Sequence, residues 1–110
     1  MTHKKLFEKS CIPCRGDTPP LDEKTVVAYL RELKPGWHVV DHHHIEKEFS
    51  FRDFKEALYF VNKVGDLVEK EGHHPDVHLS FGKVKIQLWT HKIHGLSDSD
   101  FIVAAKIDLL

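Results

Sequence analysis

Three histidines and a carboxylate carry the chemistry this sequence suggests. His73 and His74 are followed by Pro75, Glu69 stands one helical turn before them, and His91 comes later in the chain. Imidazole gives and takes protons near neutral pH, so imidazoles converging on one point suit general acid–base catalysis. A carboxylate beside them orients a ring or stabilises its charged form. The chain holds ten histidines among 110 residues, an excess that points the same way. The run His42-His43-His44 is read instead as exposed polar surface.

The competing use of histidine is metal ligation, which favours ligands spaced on one rigid face. His91-Lys92-Ile93-His94 comes nearest to such a spacing, and Lys92 adds an unhelpful positive charge. No metal is therefore expected. Cys11 and Cys14 form a C-x-x-C, the spacing of a redox pair or of half a zinc site. A zinc site needs two more ligands, and a redox pair of this kind belongs to a βαβ context that is missing. The pair is read as having no chemical role.

The elements that must position these groups follow from periodicity. Residues 1–20 carry Pro13, Gly16, Pro19 and Pro20 without apolar periodicity and read as an irregular arm. Asp22 opens a helix to about Lys34, with Val26, Val27, Leu30 and Leu33 on one side, and Pro35-Gly36 ends it. Trp37 to Val40 reads as a short strand. After a turn, His44 to Phe51 reads as a second strand, with Ile45, Lys47, Phe49 and Phe51 on one face. Asp53 to Glu71 has the strongest helical stripe, through Phe54, Ala57, Leu58, Val61, Val64 and Val68, and Gly72 closes it. Phe49, Phe54 and Phe60 are expected in the core.

Pro75 holds His74 in an extended conformation, so both histidines sit at a corner between helix and strand. Val77 to Phe81 and Val84 to His91 read as a hairpin turning at Gly82-Lys83. In its second strand Val84, Ile86 and Leu88 face one way, and Lys85, Gln87, Trp89 and His91 the other. A hairpin brings its open ends together, so His91 is expected to return towards His73 and His74. Trp89 is expected to pack on a sheet face or an interface. Ser97 with Asp100 makes a capping-box-like start to the last helix, which makes Asp100 a cap first.

The order αββαββα implies an α+β fold, an antiparallel sheet with helices packed on one face. The length suits one domain, read as residues 21–110 behind the arm at 1–20. A formal net charge of −1 gives no global basic field to attract nucleic acid. The opening MTHKKLFEKS lacks the apolar stretch of a secretory signal, and no run of about 18 apolar residues marks a membrane span. A cytoplasmic location is expected.

The string Glu69-x-x-x-His73-His74-Pro75, followed by Gly82-Lys83-Val84, Thr90-His91, Gly95-Leu96-Ser97 and Asp100, resembles the pterin-4a-carbinolamine dehydratase family. The likeness covers about residues 21–110, including Pro35-Gly36-Trp37 and the Phe49-x-Phe51-x-x-Phe54 entry to the second helix. The C-x-x-C-R-G-x-x-x-P-P-L lead-in is similar to that of many bacterial members. Phe81 stands where many members have tyrosine, His78 where an aromatic is frequent, and His94 where a small residue is common.

The resemblance implies a four-stranded antiparallel sheet with three helices on one side, assembled as a homodimer or homotetramer. It implies the loss of water from a 4a-hydroxytetrahydropterin to give a quinonoid dihydropterin, with no metal, flavin or nicotinamide required. His73 and His91 would be the acids and bases, and His74 would hydrogen-bond the pterin. Glu69 would orient the set, Pro75 would belong to the supporting group, and Asp100 would support the pocket. Some members of the family also act as dimerisation partners of transcription regulators, so an interaction protein of the same fold is the alternative. A histidine-rich metal-binding protein is a third reading, which metal analysis would test.

Overall fold

The computed structural model describes residues 4–11 and 19–110. Residues 1–3 and 12–18 of the expected arm, Cys14 among them, lie outside the described residues. The chain forms three helices, α1 (Glu23–Leu30), α2 (Phe54–Glu71) and α3 (Asp98–Ile107), and four strands, β1 (His38–Val40), β2 (His44–Ser50), β3 (Asp76–Ser80) and β4 (Lys83–Leu88). All pairings are antiparallel, in the order β1-β2-β4-β3. The fold is the expected α+β arrangement.

Alternation decides which sheet face is covered. Ile45, Val84, Ile86 and Leu88 are buried and join one core with Ala57, Phe60, Val64 and Val68 of α2 and most of α3. Sealing a Val- or Phe-sized side chain from water contributes about 1.5–3 kcal/mol. Helix α3 is apolar nearly all round, with Phe101 through Ala105 all buried, as suits a central helix. The other sheet face carries His38, Glu46, Lys85, Gln87 and His78.

Helix α2 begins where Asp53 accepts the Glu56 N–H at 2.9 Å. It ends at Gly72, whose φ of 71° lies in the left-handed region that glycine enters without strain. Gly82, at φ 72°, turns the β3–β4 hairpin in the same way. Phe54, expected in the core, is 46% exposed. It lies at the first position of α2, on the margin of the stripe through Ala57, Phe60, Val64 and Val68, beside the equally exposed Leu58.

Two further expectations shift. Helix α1 stops at Leu30 rather than continuing to Lys34, because the next turn tightens: the N–H groups of Glu32 and Leu33 reach back to the carbonyls of Tyr29 and Leu30. Leu33 is buried all the same. Strand β4 ends at Leu88, so His91 is not a strand residue. It opens a 3₁₀ turn, His91–Ile93, held by an antiparallel bridge between Thr90 and Gly95.

Lys47, a charged residue in the inward alternation of β2, is explained by Asp108. Its Nζ lies 2.9 Å from Asp108 Oδ1, and Trp37 Nε1 and the Lys34 N–H donate to the same carboxylate. A buried charge is tolerated only when paired and hydrogen-bonded in this manner. Within the expected irregular arm, Leu6–Glu8 form a 3₁₀ turn, and Leu6 is 1% exposed in the core beside α3.

Candidate active site

Asp100 is the hub of the site. It sits in the first turn of α3, with Ser97 as N-cap, and none of its surface is exposed. Oδ1 lies 2.6 Å from Nε2 of His73. Oδ2 accepts from the Thr90 hydroxyl and from the Ser97 N–H, both at 2.9 Å. The Thr90 hydroxyl proton is thus directed at Asp100, so the Ser97 hydroxyl, 2.6 Å away, donates to Thr90 Oγ1. A buried carboxylate with donors on both oxygens is fixed in place, and the helix N-terminus favours its negative charge.

Each partner comes from a different element. His73 follows the C-cap of α2, with a side chain 16% exposed, so one edge of the imidazole faces the buried carboxylate and the ring still reaches the surface. A carboxylate partner requires Nε2 to carry the hydrogen, which leaves Nδ1 of a neutral ring free to accept a proton. Thr90 lies between the end of β4 and the 3₁₀ turn, next to His91. Asp100 therefore ties the corner after α2 to the turn after β4.

His74 points to Glu69 instead, with Nε2 3.1 Å from Oε2, and both side chains are largely exposed. Pro75 is half-buried and leads into β3. His91 is exposed, and its ring rests on Trp89 with centroids 4.4 Å apart. Asp100 joins His73 to Thr90, the residue before His91, but among the described residues no hydrogen bond joins His91 to His73 or His74. Asp100, expected as a cap and support, is the residue that His73 contacts.

The Thr90 hydroxyl has no role in the sequence reading, and Ser97 is read there as a helix cap alone. Their signal was present, since a Ser three residues before an Asp places that acid back at the cap. A threonine next to the candidate His91 was a further pointer. Among the described residues, no group of three or more His, Cys, Asp or Glu side chains is arranged to hold a metal ion. No helix among them is long and apolar enough to cross a membrane.

Behind α3, Glu71 joins three segments. It accepts the Cys11 N–H at 3.2 Å and pairs with Lys106 at 2.8 Å. Burial, the largest influence on its carboxyl, works upward but is outweighed by the Lys106 and Cys11 hydrogen bonds, so Glu71 is held below its usual range. The Cys11 thiol lies 3.8 Å from the Ser99 carbonyl. Burial pushes it up to about 11, which makes it a poor nucleophile at neutral pH.

The chain is similar to known proteins over most of its length. Residues 19–110 match the family model for pterin 4 alpha carbinolamine dehydratase. A protein of Alkaliphilus metalliredigens, provisionally named pterin-4-alpha-carbinolamine dehydratase, is 57% identical over 103 residues, covering 94% of this chain and 93% of its own. One of Rubrobacter xylanophilus with the same provisional name is 51% identical over 106 residues, covering 96% and 98%. The crystal structure of a transcriptional coactivator/pterin dehydratase from Brucella melitensis superposes with a TM-score of 0.76 at 32% identity, over 82% of this chain and 96% of that one. A pterin dehydratase-like protein identified as a RuBisCO assembly factor shares the fold, with a TM-score of 0.57 at 21% identity over 67% of this chain and 87% of its own. With the matching region containing every residue of the Asp100 network, the chain belongs to the pterin 4 alpha carbinolamine dehydratase family.

Proposed function

We propose that the protein removes water from a 4a-hydroxytetrahydropterin by histidine acid–base catalysis. The observation that carries this reading is the His73–Asp100 contact, in which a fully buried carboxylate orients an imidazole whose other nitrogen makes no hydrogen bond among the described residues. Membership of the family supplies the substrate class.

The reaction needs two coordinated proton movements. The lone pair of ring nitrogen N5 forms the C4a=N5 double bond as the C4a–O bond breaks. An acid delivers a proton to the departing hydroxyl, which leaves as water, and a base takes the proton from N5. His73, with Nε2 engaged by Asp100, serves as the base through Nδ1. His91, across the Thr90–Asp100 link, serves as the acid. His74, exposed at the corner and paired with Glu69, hydrogen-bonds the pterin, while Pro75 fixes the backbone there. Residues 1–20 act as an arm to the catalytic domain at 21–110. Neutral-pH proton carriers suffice for this chemistry, so the reading includes no metal, flavin or nicotinamide.

The protein is also read as cytoplasmic and as a homodimer or homotetramer. Support for assembly comes from α2, where Leu58 and Tyr59 are exposed beside Leu110 at the C-terminus and Phe54 is exposed at the start of the helix. Light scattering of the purified protein tests it, and a monomer at micromolar concentration would count against it.

The decisive assay follows dehydration of 4a-hydroxytetrahydropterin with wild type, with and without a chelator. Turnover well above the uncatalysed rate and insensitive to chelation is expected. Activity lost on chelation and restored by zinc would overturn the mechanism.

A further inference from the structure

We infer that Trp89 is a positioning residue for His91, fixing the imidazole proposed above as the acid. The inference rests on that reading for its kinetic consequence, but its structural part stands on the ring geometry alone.

His91 needs such a device. Its backbone lies in a short 3₁₀ turn that ends at His94 with φ 50°, and its side chain projects from the surface. The turn is anchored by the Thr90–Gly95 bridge and by the buried Ile93, which set the backbone and leave the imidazole free to rotate. The indole of Trp89 limits that rotation, at 4.4 Å between centroids and 42° between planes. Aromatic rings attract at such separations in tilted arrangements, by about 0.5–1.5 kcal/mol beyond the area they bury. When the imidazole is charged, the indole face adds a cation–π attraction.

Trp89 is itself held. His43 contacts the indole at 5.0 Å and His44 at 6.0 Å, and their ring nitrogens lie 3.1 Å apart. His44 Nε2 reaches Glu46 Oε1 at 3.2 Å, and the Gln87 amide donates to the same oxygen at 3.0 Å. The Gln87 hydrogen bond, with help from His44, keeps the Glu46 carboxyl below its usual range and so ionised. Gln87 is in turn 3.2 Å from His78 on the edge strand. The run His43-His44, read from the sequence as exposed polar surface, is half-buried and buttresses Trp89.

Indole emission tests the contact without substrate, because an adjacent imidazole quenches it. The protein has two tryptophans, and Trp37 is buried with its Nε1 on Asp108, so W89F reports the Trp37 background alone. In the full chain, H91A should raise the emission assigned to Trp89. In the dehydration assay, W89A should lower kcat by about 10- to 100-fold, the cost of a misplaced catalytic group. KM should stay within about twofold, since the indole is not taken to contact substrate. W89F, which keeps a flat ring, should recover most of the loss. Unchanged emission in H91A overturns the inference, as does a W89A defect confined to KM or a W89F variant as impaired as W89A. A wild type without turnover would count against the proposed activity, and the emission comparison decides this inference separately.

Discussion

Nε2 of His73 lies 2.6 Å from Oδ1 of Asp100, a carboxylate with no exposed surface. That contact joins the corner after α2 to the first turn of α3, and the second oxygen of Asp100 extends it to Thr90 and Ser97. Asp100 is thus a helix cap, a buried charge and the orienting partner of His73 at once.

The first prediction follows from that count of donors. Asp100→Asn keeps the shape but brings an NH₂ group to a site where His73, Thr90 and Ser97 all donate. Turned towards Thr90 and Ser97, the NH₂ faces donors; turned towards His73, it is accommodated only if the imidazole moves its hydrogen to Nδ1. Hydrogen bonds to a charged group contribute about 1.5–3 kcal/mol each, so a loss of about 2–3 kcal/mol is expected in urea unfolding. Turnover should fall by about 10²-fold or more, because the tautomer of His73 is no longer imposed. Wild-type turnover in a folded D100N protein would remove Asp100 from the mechanism.

Cys11 provides the second. Its thiol is pushed up to about 11 from a usual 9.0, chiefly by burial, so the neutral form is the one the fold accommodates. Stability from this group is complete below pH 9 and is lost as pH rises through about 11. Cys11→Ala should therefore narrow its stability difference from wild type as the solution is made alkaline. Alkylation at pH 7.5, followed residue by residue by mass spectrometry, should proceed at Cys11 much more slowly than in the unfolded chain. Replacing Cys11 and Cys14 together with serine should leave turnover near wild type. A tenfold loss in a folded double variant would show that the arm takes part in the site.

Acid stability tests Glu71. Its carboxyl is held below the usual 4.5 by Lys106 and the Cys11 N–H, against the upward pull of burial. Such a group contributes stability that is complete above about pH 4.5 and fades as pH falls through the lower folded value. Glu71→Gln keeps an oxygen for Cys11 and removes the charge facing Lys106. The variant should be less stable than wild type at pH 7, and the two should converge as pH drops below 4.5. A constant difference down to the acid transition would mean that the ion pair is not the source.

The legible and illegible parts of this chain divide by distance along the sequence. Helix α2 was readable because its stripe, its Asp53 cap and its closing Gly72 are all local. The hairpin of β3 and β4 was readable from alternation around Gly82. Phe54 was misplaced because apolar character alone does not say where along the width of a stripe the core ends. His91 was misread as a strand residue because the bridge between Thr90 and Gly95, which ends the strand, is not written in any single residue. The partner of His73 was least legible. Asp100 is 27 residues away, and its capping role by itself accounted for its presence in the sequence.

The last prediction separates the two histidines assigned to proton transfer. His91→Ala removes an exposed ring, so unfolding stability should change by less than about 0.5 kcal/mol. His73→Ala removes one donor from a buried carboxylate that keeps Thr90 and Ser97, and should cost about 1–3 kcal/mol. Both variants should lose turnover by about 10²- to 10⁴-fold, the range for a positioned acid or base. If one ring protonates the hydroxyl while the other takes the N5 proton, both act in a single transition state. The double variant should then lose less than the product of the two single losses, because the second group has little left to assist. His74→Ala, away from the Asp100 network, should raise KM at least as much as it lowers kcat. Single variants at His73 and His91 that both retain wild-type rates while folded would show that the imidazoles are not the catalyst, and would move the interaction-protein reading to first place.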